Sequence, residues 1–268
     1  NDWNLGLMAG TSPSITPLEG GGYEVAFQSN VGELWTVGTA GNRNWHLGMM
    51  AHTSPSIAAL KGGGYEVAFQ ANTTNLWTVG TATNTDTRLG MASTTSPSIT
   101  GLAGGGFEVA FQANTGNLWT TGTADTTGHD LGMAGGTSPS IAALSGGGYQ
   151  VAFQANTGSL WTMGSRGTTN HELGMMHGTS PSIVGLPNDG FQVAMQANTT
   201  DLWTAGTAGT HNWQLGMNPS TSPSIGHLSN GGFQVSFEAN TTELWFAGTG
   251  GAGPRGLGMM SGTSPSGT

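Results

Sequence analysis

The chain contains no cysteine, which excludes a disulfide framework and any thiolate metal site. Charge is nearly as scarce: charged residues are 7% of the 268, and Lys and Arg together number five against a net charge of −9. Binding to a phosphate backbone rests on clustered Lys and Arg, so nucleic acid is not an expected partner. The same shortage argues against docking to anionic lipid, and the lack of any 18-residue apolar run argues against membrane insertion. Helix signals are missing too, because no 3.6-residue pattern occurs and Gly, Thr and Ser saturate the chain. No G-x-S-x-G, H-E-x-x-H, P-loop or dinucleotide fingerprint is present. The acids recur at symmetric positions and form no unique pair of the kind glycoside hydrolysis needs. The expectation is a protein that is not an enzyme and uses no cofactor.

What is abundant is repetition. Trp35, Trp77, Trp119, Trp161, Trp203 and Trp245 stand 42 residues apart, each closing nearly the same phrase, as in GGYEVAFQANTTNLW from Gly63 to Trp77. A fixed period of that size marks a repeat architecture. Gly, at 48 residues, lies far above its usual share of about 7%, and it falls at fixed phases beside alternating apolar runs. That placement reads as strands joined by tight turns. Within one period, TSPSIAAL (53–60) is a short strand and YEVAFQA (65–71) alternates Tyr65, Val67 and Phe69 with Glu66, Ala68 and Gln70. LWTVGTA (76–82) follows as a third strand. A polar loop of variable sequence then leads to RLGMA (88–92), a short fourth run.

Four short strands per 42 residues predict an all-β fold, a β-propeller of six blades, each a four-stranded antiparallel sheet. Large side chains on one sheet face and small ones on the other would let neighbouring blades nest. The whole chain, 1–268, reads as a single domain with units starting near Thr11, Thr53, Thr95, Thr137, Thr179 and Thr221. The TSPS and LG phrases each occur seven times, so a spare segment stands at each end. Segments 3–8 and 257–268 are therefore the candidates for ring closure, and seven blades is the alternative. The Asn1 start reads as a mature or excised chain, and the Asn, Thr, Ser and Gly richness as a secreted, extracellular surface. A homo-oligomer is compatible with the sequence.

One phase breaks the repetition. Trp3, Trp45 and Trp213 share it with Thr87, His129, His171 and Arg255, and the next residue, His46 in one unit, varies as well. Variable large side chains in loops on a rigid scaffold are where repeat proteins place recognition. Trp3, Trp45, His46, His129, His171 and Trp213 are thus the first candidates for ligand contact. The Trp35-to-Trp245 ladder comes second, because core packing is the plainer role for it, although an indole can stack on a sugar ring. His46, His129 and His171 lack a His partner at i, i+2 or i, i+4, so no metal site is expected. Two polar rings lie opposite the bulky face: Glu24, Glu66, Glu108, Gln150, Gln192 and Gln234, and Gln28 through Gln196 with Glu238. Bonding between blades is the plain expectation for both.

The phrase QANTGNLW (112–119) resembles the Asp-box hairpin of sialidases and other propellers, with Asn114 in the Asp position, Gly116 at the turn and Trp119 at the end. The longer phrase SPSIxxLxGGGYEVAFQANTGxLWT is similar to the repeat of bacterial propeller lectins of the PLL type, with tectonin-like lectins a looser match. The resemblance covers all six units. It implies a multivalent lectin that binds fucose or related sugars of glycans and glycoconjugates at blade loops or junctions. A structural or protein-interaction module is the competing reading.

Overall fold

The computed structural model describes residues 5–266, and Trp3 and Asn4 lie outside them. The described residues hold six four-stranded antiparallel sheets and no helix. The first sheet is β1 (Ser14–Pro17), β2 (Tyr23–Gln28), β3 (Glu33–Gly38) and β4 (Arg43–Gly48), in that spatial order. The second repeats it with β5 (Ser56–Ala59), β6 (Tyr65–Gln70), β7 (Asn75–Gly80) and β8 (Asn84–Gly90). The chain divides into two compact units, one up to Asp130 and one from Leu131. The break falls inside the fourth strand of the third sheet, Thr126–Gly132.

Period-two alternation places each strand. In β6 the large residues Tyr65, Val67 and Phe69 point to one face and Glu66, Ala68 and Gln70 to the other, and all six are buried. The large face packs on the small face of the sheet before it. In the first unit, Ala26 and Leu34 form one cluster with Ile57, Tyr65, Val67, Phe69 and Val79. In the second unit, Ala194 and Leu202 do the same with Ile225, Phe233, Val235 and Phe237. Ala is needed on the small face because a larger side chain would hold the next sheet away. Side-chain hydroxyls fasten the pair: Ser14 Oγ accepts from Ile57 N at 3.3 Å, and Thr16 Oγ1 accepts from Ala59 N at 3.1 Å.

The fourth strand departs from expectation. The stretch read as a loop before Arg88 is strand: β8 runs Asn84–Gly90 and pairs with β7. Its residues are polar because none of them on this outermost strand is fully buried, so hydrophobic alternation could not reveal it. Beyond Gly90, the last two residues of the expected fourth run leave the sheet. Met91 bridges Ala113 of the third sheet, and Asn114 N donates to Gly90 O at 3.0 Å. The LGM phrase is therefore a seam between consecutive sheets. Its Gly is fixed because a Cβ at Gly48 or Gly90 would run into the amide of Asn72 or Asn114. The front segment makes the same seam on the first sheet, where Leu7 bridges Ser29 and Asn30 N donates to Gly6 O at 2.9 Å.

Candidate functional site

The fourth strands of the first, second, fourth, fifth and sixth sheets carry a bulge. Glu33 faces Gly48 and Trp35 faces Asn44, so a two-residue step on β3 meets a four-residue step on β4. The extra residues are absorbed by a left-handed turn at His46, φ 52°, and at the matching Arg88, Glu172 and Gln214. Non-Gly residues enter this region at a cost and need local support. An Asx cap supplies it: Asn44 Oδ1 accepts from His46 N at 2.8 Å, as Asp86 does from Arg88 N, Asn170 from Glu172 N and Asn212 from Gln214 N. These Asn and Asp residues are not among the site residues expected from sequence. Their signal was present, an Asx side chain two residues before a turn.

The bulge sends neighbouring side chains in opposite directions. His46 is turned outward with 78% of its side chain exposed, and its Nδ1 lies 3.9 Å from Glu33 Oε1. Trp45 is turned inward and buried, where its indole N–H donates to Thr36 Oγ1 at 3.1 Å. Thr36 in turn meets the Tyr65 hydroxyl of the next sheet at 3.1 Å, and the Arg43 guanidinium lies 3.7 Å above the Trp45 ring. Trp213 donates to Thr204 at 3.1 Å, and the Nε2 atoms of His129 and His171 lie 3.0 and 2.9 Å from Thr120 and Thr162. Burial holds both imidazoles below the usual histidine range. Trp45, His129, His171 and Trp213 thus sit on a strand with their ring nitrogens engaged, not free in a loop, and the structure does not gather them. Trp3 lies outside the described residues.

What the structure does gather is the outward residue of one sheet and the hairpin of the next. Arg88, Leu89 and Gly90 from β8 face Phe111, Ala113, Asn114, Thr115 and Trp119 of the third sheet across a groove of about 180 Å³. Trp119, half-buried, supplies an apolar wall, with the Phe111 ring 6.5 Å away, centroid to centroid. Its sheet lacks the Asx cap, because Gly128 stands at that phase and the Trp119 ring leans over it. Arg88, Asn114 and Thr115 are exposed at the rim and bring donors and acceptors. A flat apolar wall edged by amide, guanidinium and hydroxyl groups suits a ring-shaped polyol. The site draws on the ladder Trp residues and on the variable phase represented by His46.

The polar rings are structural and differ from each other. Glu66 accepts from Ala82 N at 3.0 Å, Thr83 N at 3.3 Å and the Thr83 hydroxyl, so this ring caps the loop after the third strand of its own sheet. The expectation of bonding between blades fails for it, because the loop amides are nearer than the next sheet. The second ring does reach across: Gln28 Nε2 donates to Met49 O and Met50 O at 3.3 and 3.4 Å, on the seam to the second sheet. Burial raises the carboxyls of Glu24 and Glu66. It pushes Glu108 up to about 7, with the Asp125 charge adding to the effect and the Ala124 N–H opposing it.

No protein-family model matches the chain, and no curated protein matches its sequence. Solved structures do. A fungal lectin from Aleuria aurantia, described as a six-bladed β-propeller with a novel fucose recognition mode, aligns at 14% identity over 97% of this chain and 98% of its own, TM-score 0.60. The SapL1 lectin in complex with α-methyl fucoside aligns at 12% over 89% and 92%, TM-score 0.57. Virginiamycin B lyase from Staphylococcus aureus aligns at 14% over 90% and 82%, TM-score 0.56. With the six four-stranded sheets, these likenesses define the class of fold: an all-β, six-bladed propeller.

Proposed function

We propose that this protein is a multivalent, non-catalytic lectin of the extracellular space that binds fucose or a related sugar of glycoconjugates. The observation that carries the reading is the groove at Arg88, Asn114 and Trp119, where an apolar wall and polar rim meet at a blade junction. The fold supports it, since proteins of this architecture include lectins solved with fucosides. The finer kinship, to bacterial propeller lectins of the PLL type, belongs to the same proposal and rests on the repeat phrase. Equivalent phases recur at the other junctions, with His46, Glu172 and Gln214 in the place of Arg88. Sites of one geometry with different rims would differ in sugar preference while acting together. Such multiplicity raises avidity by about 10²–10⁴ without new contacts.

Non-catalytic fits the acids, because Glu66 is committed to loop amides and Glu24 meets Ala40 N at 3.2 Å. A glycan array with the folded chain, followed by calorimetric stoichiometry, tests the function. Binding to fucosylated glycans with more than one site per chain is the expected result. No binding to any glycan at high protein density overturns it.

A further inference from the structure

Cations are scarce enough in this chain to be followed one by one, with five Lys and Arg against a net charge of −9. Lys61 Nζ donates to Ala103 O at 2.8 Å, and the Arg43 and Arg255 guanidinium groups lie over the rings of Trp45 and Phe246. Arg88 differs. Its backbone N–H is held by Asp86, but its guanidinium has no hydrogen bond, ion pair or ring contact among the described residues. It is exposed, and it lines the groove beside Trp119. No carboxylate lines that groove. The acid nearest in sequence, Asp86, is already occupied, accepting from Asn75 Nδ2 at 3.1 and 3.2 Å and from Arg88 N at 2.8 Å.

The second unit builds the same junction with the opposite sign. Glu172 occupies the left-handed turn at φ 56°, capped by Asn170, where Arg88 has φ 60° and the Asp86 cap. The seam behind the turn is equivalent: Asn198 N donates to Gly174 O at 3.1 Å, as Asn114 N does to Gly90 O at 3.0 Å. Leu173 and Trp203 pack on one buried cluster as Leu89 and Trp119 pack on another. Both Arg88 and Glu172 are exposed, so neither charge is needed inside the fold. One backbone geometry therefore presents a guanidinium at one junction and a carboxylate at the other.

We propose that the junction at Arg88 selects an acidic sugar, a pyranose bearing a carboxylate or sulfate group, and that the junction at Glu172 takes neutral sugars only. The inference rests on the lectin reading above and goes beyond it by naming charge as what separates the sites. A guanidinium presents a planar fork of N–H donors that matches a carboxylate or sulfate with two parallel hydrogen bonds. With the sugar ring against Trp119, the acid group meets Arg88, and hydroxyls are left for Asn114 and Thr115. At the other junction the Glu172 carboxylate repels the same group. The ligand is a single acidic residue on an otherwise neutral glycan. A long polyanion would be repelled by the rest of a chain of net charge −9, against which one free guanidinium offers little.

Titration calorimetry of the full chain with two matched pairs tests this: methyl fucoside against its sulfated form, and methyl glucoside against methyl glucuronide. At least one acidic glycoside is expected to bind about tenfold more tightly than its neutral counterpart, at one site per chain. The pair that shows the gap tells sulfate from carboxylate, and the gap should narrow as salt is raised. Arg88→Gln is expected to bring the ratio to about one, and Glu172→Arg to add a second acidic site. Melting temperatures confirm that both variants are folded. Neutral glycosides that bind while acidic ones bind no more tightly overturn this inference and leave the lectin reading standing. A preference that survives Arg88→Gln, or a Glu172→Arg chain that gains no acidic site, overturns it as well. Binding of no glycoside at all overturns the lectin reading, and this inference with it.

Discussion

The indole N–H of Trp45 donates to Thr36 Oγ1 at 3.1 Å, the position from which His171 Nε2 meets Thr162 at 2.9 Å in the fourth sheet. Two chemically different residues therefore serve one role, a ring nitrogen held against a third-strand Thr. The variation that looked like recognition is in part substitution between equivalents.

Trp45→His is accordingly expected to leave stability nearly unchanged. Trp45→Ala removes a buried ring and the donor to Thr36, costing about 3–5 kcal/mol. Urea unfolding of the two variants checks this. Equal losses for His and Ala would show that the hydrogen bond contributes little beside the ring.

At the groove, Trp119→Ala and Arg88→Ala are each expected to weaken sugar binding at that junction about tenfold, on the order of 1–2 kcal/mol. The other junctions should be untouched. Titration calorimetry with a soluble fucoside would then show a reduced site count, with the melting temperature of Arg88→Ala unchanged because that side chain is exposed. Unaltered binding in both variants moves the site elsewhere.

Glu108 sets a pH dependence. Its carboxyl is raised in the folded state, so folding favours the protonated form. The stability it contributes is full below the ordinary carboxylate value of 4.5 and is lost as pH rises through about 7. Glu24 and Glu66 act in the same direction. His129 and His171, held low by burial, act in the opposite one, losing stability as pH falls below the ordinary histidine value of 6.5. Glu108→Gln is expected to raise stability at pH 8 by about 1–3 kcal/mol, a melting shift of several degrees, and to change little at pH 5. Gln150 at the same phase shows that the amide fits, its Oε1 accepting from Arg166 N at 3.0 Å. Equal shifts at both pH values would rule out a charge effect.

Gly48→Ala pushes a methyl group into the Asn72 amide and is expected to cost about 1–3 kcal/mol. Asn72→Ala in the same chain should recover much of that loss. A double-mutant cycle measures the coupling. Additive effects would mean that Gly48 is kept for its backbone alone.

Much of the fold was legible because it is periodic. Tyr65, Val67 and Phe69 against Glu66, Ala68 and Gln70 state a strand and its two faces, and the 42-residue return of Trp states how often it recurs. Fourth strands such as Asn84–Gly90 were not legible, since a strand with no fully buried residue gives little alternation to read. The first polar ring misled for a related reason. Sequence places Glu66 opposite the bulky face, but whether it turns to its own loop or to the next blade depends on distances that no spacing encodes.

By itself, the sequence determined an all-β architecture of six copied units, and it singled out the phase where the copies disagree. Only the tertiary structure decided what that disagreement means. A bulge in the fourth strand of the first sheet rotates two adjacent variable residues to opposite sides. Trp45 is buried against Thr36, while Arg88, at the phase of His46, is delivered to the rim of a groove whose wall comes from the next sheet. Adjacency along the chain cannot reveal that division, because it arises from a left-handed turn of one residue and from the packing of a sheet that begins later in the sequence.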